Sequence, residues 1–478
     1  FVSAGKTFDA VSATAMTGTY SNNSETVLRA EGTGSALDLS SLTSMTLDEN
    51  TSFTDTLTVH ARDNGLIDLS SLSSAGSNDI LRFLVESGGQ IDLGSLNQTD
   101  NAQFDVRSGQ TLAVNALADA GGGSVDLATG ATLNATSLQA LRNATLNAAT
   151  GAVFNAPTLA DVSGSTLNLD DGFAFTTAPL AQVDGSHLFV SGGLNFNAVS
   201  DSNFVGTYSG SQTVLQADGA GSVLDLSSLS QIALDESTSF GDTLSIVASA
   251  GGAVLMPNVD TVSTNDGLLF HVRSQSTIDL SSLQAVGGGR YEFRVEAEGT
   301  LLLGDFTVTN DTTFNIDDAT SNVMVSGSLL LDGPAEFNVA TGGGLAVAGN
   351  FSFAGDDEAA FQSSSGVLTM NGSGSFGDPQ YLEVGGQNLG VPGVDFGDPT
   401  DVNNPFVTIG DSGNFNLGKL VIGAEGHSPT VVELLDAIDN GNRQSTEALY
   451  LSGIGGDGLE IFGGSTLNIE SIDVYAFL

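Results

Sequence analysis

Apolar residues recur every 21 positions from Phe83 to about Ser200. One row reads Phe83, Phe104, Val125, Leu146, Leu167 and Leu188. A second reads Ile91, Leu112, Leu133, Phe154, Phe175 and Phe196, and a third Leu96, Leu117, Leu138, Leu159 and Leu180. All 17 places are apolar in a chain that is 40% apolar. Independent placement gives that outcome odds on the order of 10⁻⁷. A fixed period of this length marks one supersecondary unit stacked on copies of itself.

Polar residues alternate with the apolar ones inside each unit. Phe104 and Val106 flank Asp105, Leu133 and Ala135 flank Asn134, and Leu167 and Leu169 flank Asn168. Alternation of period two belongs to a strand with one face buried. Glycine and polar residues follow, as in Ser163-Gly164-Ser165 and Ser191-Gly192-Gly193, and supply turns. A unit this short has no room for an ordinary crossover helix, so it fits one coil of a parallel β-helix. Each strand then pairs with its equivalent one coil on, about 4.8 Å away. Parallel crossovers are right-handed in about 98% of cases. The expected fold is therefore an all-β, right-handed parallel β-helix with coils of 21–24 residues.

Longer-range repetition sets the expected domains. Leu37-Asp38-Leu39-Ser40-Ser41-Leu42 returns as Ile67-Asp68-Leu69-Ser70-Ser71-Leu72 and as Ile91-Asp92-Leu93-Gly94-Ser95-Leu96. It returns again as Leu224-Asp225-Leu226-Ser227-Ser228-Leu229, 187 positions after its first appearance, and Phe83 returns as Phe270 at the same offset. Two related arrays are expected, at 1–200 and 201–375, followed by a β-rich C-terminal module at 376–478 that holds five of the nine prolines. Within it, Val431 to Ile438 reads either as one short helix or as a buried strand.

Charge narrows the partners. The chain carries 56 acidic and 11 basic residues, a formal charge of −45. Phosphate contacts need a basic surface, so nucleic acid is not an expected partner, nor is a bare anionic membrane. Dense acid keeps such a molecule soluble, blunts sheet edges and collects divalent cations. There is no cysteine, and no apolar run reaches the 18 residues of a bilayer-spanning helix. The opening at Phe1 fits a processed N-terminus.

Several stretches carry a resemblance. The arrays resemble the β-helical passengers of large secreted bacterial surface proteins. Leu382-Glu383-Val384-Gly385-Gly386-Gln387-Asn388-Leu389-Gly390, Phe415-Asn416-Leu417-Gly418-Lys419-Leu420, Asp439-Asn440-Gly441-Asn442-Arg443 and Glu447-Ala448-Leu449-Tyr450-Leu451 are similar to the end of planctomycete-type secreted repeat proteins. The resemblance implies a secreted, non-catalytic cell-surface or matrix protein and brings no functional residues with it. Such proteins often continue into a sorting segment, expected here to have been cleaved after Leu478 or never to have existed.

Candidate chemistry is sparse. His60, His187, His271 and His427 are far apart and share no row, so no catalytic set is expected. Arg273 and Arg294 are 21 apart on the outward parity and are expected to stack, with Glu292, Glu296 and Glu298 nearby. That cluster reads as a solvated charge network or, alternatively, as a carbohydrate-binding or polysaccharide lyase groove. A second outward row runs Asp105, Asp126, Asn147, Asn168. Asp105 and Asp126 are its candidate Ca²⁺ ligands, since stacked oxygen donors suit a hard cation; Asp170-Asp171 and Asp356-Asp357 are weaker candidates. Asn134, Asn155 and Asn197, with Thr176 between, are expected to form an amide ladder.

The ends complete the expectation. A solenoid end leaves strand N–H and C=O groups unpaired and recruits other chains unless capped. Phe1, Val2, Tyr475, Phe477 and Leu478 are apolar and become the candidate assembly residues. The leading expectation is a subunit of an extracellular filament, sheath or matrix that joins copies of itself head to tail; the alternative partner is an extracellular polysaccharide.

Overall fold

A computed structural model describes the chain except for residues 11, 21–23, 50–54, 238–240, 309–310, 332–334, 340–341, 354–360, 373–378, 384–415, 436–447, 452, 454–456, 470–471 and 477–478. The described residues are all β, with no helix among them. Among them, then, no helix is long and apolar enough to cross a membrane. The chain divides into two compact units, Phe1–Gly206 with Ala217–Asp225, and Thr207–Gln216 with Leu226–Leu478.

The first unit is a coil with three faces. Its first face stacks Val2–Ser3, Glu25–Glu31, Thr56–Arg62, the end of Ser74–Val85, the end of Gln98–Val106, Ser124–Leu127, Thr145–Ala148, Thr166–Leu169 and His187–Ser191, each parallel to the next. The second face runs from Thr7–Asp9 through Ala36–Asp38, Leu66–Asp68 and Gln90–Asp92. It continues in Thr111–Ala113, Thr132–Asn134, Val153–Ala156 and Ala174–Thr177. The third face begins with Ala15–Tyr20 on Ser44–Glu49 and thins to single bridges at Asp119, Ala140, Asp161 and Gln182.

The apolar rows are the core of this coil. Phe83, Phe104, Val125, Leu146, Leu167 and Leu188 are successive register partners, and each is at most 2% exposed. Burial of each such side chain stabilises the fold by roughly 1.5–3 kcal/mol. Leu117, Leu138 and Leu159 close corners, their N–H groups donating to the carbonyls of Val114, Ala135 and Ala156 three residues back. The recurrent Leu-Asp-Leu-Ser-Ser-Leu motif builds the same corner. Asp38 and Asp68 each accept the N–H two residues on at 3.0 Å, and Leu42 and Leu72 then turn inward. The carboxylate thus caps a turn.

Coil length varies in the second unit. Phe270 pairs with Phe293, 23 residues on, Phe293 with Phe314, 21 on, and Phe314 with Phe337, 23 on. The rings of Phe270, Phe293 and Phe314 stack at centroid distances of 5.0 and 4.9 Å. The described strands after residue 376 carry the same coil on. Asn416–Ile422 pairs parallel to Phe361–Met370, and Val431–Leu435 to Gln380–Glu383. Val431 to Leu435 is therefore strand and not helix, while residues 436–438 lie outside the described residues.

Candidate functional site

The outward side of the first face carries two adjacent rows. One runs His60, Leu84, Asp105, Asp126, Asn147, Asn168, Phe189, each the register partner of the next. The other lies where the chain leaves each strand and includes Arg107, Ala128, Ala149, Asp170 and Ser191; Ala128, Ala149 and Asp170 are held by N–H bonds to Val106, Leu127 and Ala148 on the coil before. Between the rows lies a shallow concavity of about 450 Å³. Its small floor residues are Ala128 and Ala149, with Arg107 towards one end and Phe189 at the other.

Asp105 and Asp126 do stand on adjacent rungs. Their surroundings differ from an open oxygen row. Asp105 is 4% exposed, covered by the guanidinium groups of Arg82 and Arg107, the latter at 3.1 Å. Asp126 accepts hydrogen bonds from Gln103 at 2.6 Å, Ser124 at 3.0 Å and Asn147 at 2.6 Å. Two guanidinium groups already neutralise one carboxylate, and amide and hydroxyl donors occupy the other. Among the described residues, no three Asp, Glu or His side chains converge as a metal would need. Asp170 accepts from Thr150, Ser191 and the Asp171 N–H, and those bonds hold its carboxyl below the usual range against the cost of burial. Asp356 and Asp357 lie outside the described residues.

The amide ladder forms in its first part, while Asn197 lies one residue past the Asn195–Phe196 strand. Asn155 donates to Asn134 at 3.2 Å, and Thr176 follows in register. The same bonding extends the row from Asp126, with Asn168 donating to Asn147 at 2.7 Å.

Arg273 and Arg294 do not stack. The coil between them has 23 residues, so Arg294 pairs with His271 and Arg273 with Glu296. Arg294 instead lies 2.6 Å from Glu292. The expected basic pair fails because this one coil is two residues longer than 21. Two of the histidines bond to a glutamate of the next coil, His60 to Glu86 at 3.0 Å and His271 to Glu296 at 2.9 Å. Burial lowers the pKa of His60 in spite of Glu86.

The end coils expose positions that are core elsewhere. Phe8 is the register partner of Leu37, which pairs with Ile67, yet Phe8 is 55% exposed and Leu37 only 5%. Val2 is buried and Phe1 is 79% exposed. In the second unit Ile461, partner of the fully buried Ile422, is 43% exposed. Tyr475 stacks on Tyr450 at 4.9 Å. Phe477 and Leu478 lie outside the described residues.

Sequence reasoning missed Arg82 and Arg107 as the partners of Asp105, and Phe8 and Ile461 as the exposed core positions. The signal was present. Arg107 shares the outward parity of Asp105, and Arg82 stands 21 residues before Gln103. Ser165, a turn residue by its sequence context, is also buried, accepts the Ala144 N–H and donates to the Leu141 carbonyl.

The fold defines the class, a parallel β-helix. Compared with models of known protein families, with curated proteins and with solved structures, the chain finds no match.

Proposed function

We propose that the chain is a non-catalytic structural subunit of an extracellular filament, sheath or matrix, joined to copies of itself head to tail through its end coils. The observation that carries this reading is Phe8, an inward position of the stacked row that is nonetheless 55% exposed. What that surface accepts is one more coil in parallel register. The far edge of Leu459–Ile461 and Thr466–Asn468 offers the complementary strand edge. A parallel coil is polar, so head-to-tail addition preserves its pairing, and a contact that does not close grows into a fibre. Few lysines and arginines limit cutting by trypsin-like proteases, as suits an exposed fibre.

Sedimentation and negative-stain imaging of the purified chain test this. Wild type should form oligomers or fibres as concentration rises. Phe8→Glu and Ile461→Glu should abolish them without changing the far-ultraviolet circular dichroism. A wild-type chain that stays monomeric at high concentration and shows no fibres would overturn the proposal, because the coil covering Phe8 would then come from elsewhere.

A further inference from the structure

We propose that the concavity on the first face binds a neutral polysaccharide, laid along the coil axis from Arg107 to Phe189. This goes beyond the structural role and uses none of the end-coil residues.

Four observations converge there. Polar groups repeat once per rung, ~4.8 Å apart, so the surface is itself a polymer of binding groups and matches a polymeric ligand of comparable repeat. Those groups are Asp126, Asn147 and Asn168, joined by bonds of 2.6 and 2.7 Å. Each primary amide spends one of its two N–H groups on the ladder. The remaining N–H and the oxygen lone pairs suit hydroxyls, which both donate and accept. Beside this polar row, Ala128 and Ala149 leave a trough of about 450 Å³ with an apolar floor. Phe189 stands outward at one end, half-buried, its ring 6.0 Å from that of His187. An apolar floor and an aromatic platform suit the C–H faces of sugar rings, as polar groups suit their edges.

The charge decides the class of sugar. The trough holds the carboxylates of Asp126 and Asp170 against Arg107, whose guanidinium is already paired with Asp105 at 3.1 Å. Uronate or sulfated chains would meet uncompensated negative charge. The shallow opening excludes a small ligand held by enclosure and favours an extended chain lying across several rungs. Amide ladders also occur at Asn134 with Asn155 and at Asn315 with Asn338. Those rows show that the ladder by itself is a stabilising device; the trough and the ring beside it set this one apart.

Affinity electrophoresis and titration calorimetry on the full chain test the assignment. The probes are neutral hexasaccharides of glucose, mannose and N-acetylglucosamine, with a galacturonate hexasaccharide as the charged comparison. At least one neutral probe should bind saturably, more tightly than its trisaccharide. Ala149→Arg, which fills the trough without touching the ladder, should weaken binding about tenfold or more. Phe189→Ala should weaken it too, and both variants should keep the wild-type circular dichroism. Binding of no neutral probe, equal binding of galacturonate, or binding unchanged in both variants would overturn the proposal. Fibre formation by wild type and by Ala149→Arg is read separately, so the glycan site and the filament role fail independently.

Discussion

Asn147 shows what one outward residue does in a stacked coil. Its amide donates to Asp126 at 2.6 Å and accepts from Asn168 at 2.7 Å, so it links three rungs. Asn147→Asp removes the donor and places a second carboxylate one rung, ~4.8 Å, from the first. The expected cost is about 1–3 kcal/mol at neutral pH, the penalty for a half-buried acceptor left without its donor. The sign of its pH dependence follows. Repulsion raises the pKa of the introduced carboxyl in the folded state above its unfolded value. The deficit is therefore full above the folded pKa and shrinks as protonation restores a donor. Urea midpoints of variant and wild type should converge as pH falls from 7 towards the carboxylate range; a constant gap counts against this account. Asn147 could be placed in its row from the sequence alone. The sequence also placed Arg82 and Arg107 on rungs beside Asp105, two rungs away, but not their closure over its carboxylate, because long side chains reach across rows. Period fixes backbone rows and leaves rotamers open.

At the scale of the element, close coil contact is limited by backbone as much as by side chains. A Cβ at Gly123 would lie 1.9 Å from the carbonyl oxygen of Ala102 on the preceding coil. Gly123→Ala must push the Ser124–Leu127 strand off Gln98–Val106 and break the register of Phe104 with Val125. A loss of about 2–4 kcal/mol is expected, the scale of a strained core substitution. Hydrogen exchange should show the N–H groups of residues 124–127 losing protection before those of Thr166–Leu169, several coils away, since each coil depends mainly on its neighbours. Uniform loss across both strands would contradict that. The Leu-Asp-Leu-Ser-Ser-Leu repeat was legible as repetition. Its mechanism, a carboxylate capping a turn that drives the next leucine inward, became visible only with the bonds of Asp38 and Asp68.

Across the whole molecule, a formal charge of −45 opposes compaction. Lowering pH from 7 towards the ordinary carboxylate range, about 3.9–4.3, relieves that repulsion. Other carboxylates act in the opposite sense. Burial raises the pKa of Asp318, but bonds from Thr320, Ser321 and the Ala297 N–H outweigh it and hold the carboxyl far below the usual range. Burial likewise raises Asp161 and is outweighed by Ser163 and Arg142. A depressed folded pKa contributes stability that is present above the unfolded pKa and lost as pH falls through the folded value. Stability should therefore rise on mild acidification, peak near the ordinary carboxylate range and fall below it. Thermal midpoints between pH 7 and pH 2 at low salt measure this, and a monotonic curve in either direction would refute it.

The sequence by itself determined the periodic part of this protein. A row of apolar residues at constant spacing can be buried only if its members sit over one another, so Phe83 to Leu188 dictated parallel stacking without reference to anything distant. The same arithmetic placed Asn134 over Asn155 and Phe293 over Phe314. Tertiary structure alone decided what depends on loop length and side-chain reach. Two added residues in the coil after Phe270 moved Arg294 from Arg273 to His271. The strands from Gln380 onward joined the second unit's ladder despite their change of texture. Asp105 passed from an outward row to a covered ion pair. The physical reason is common to all three: inward positions are fixed by burial, which repeats with the coil, whereas outward positions are fixed by whichever neighbours the turns bring within reach.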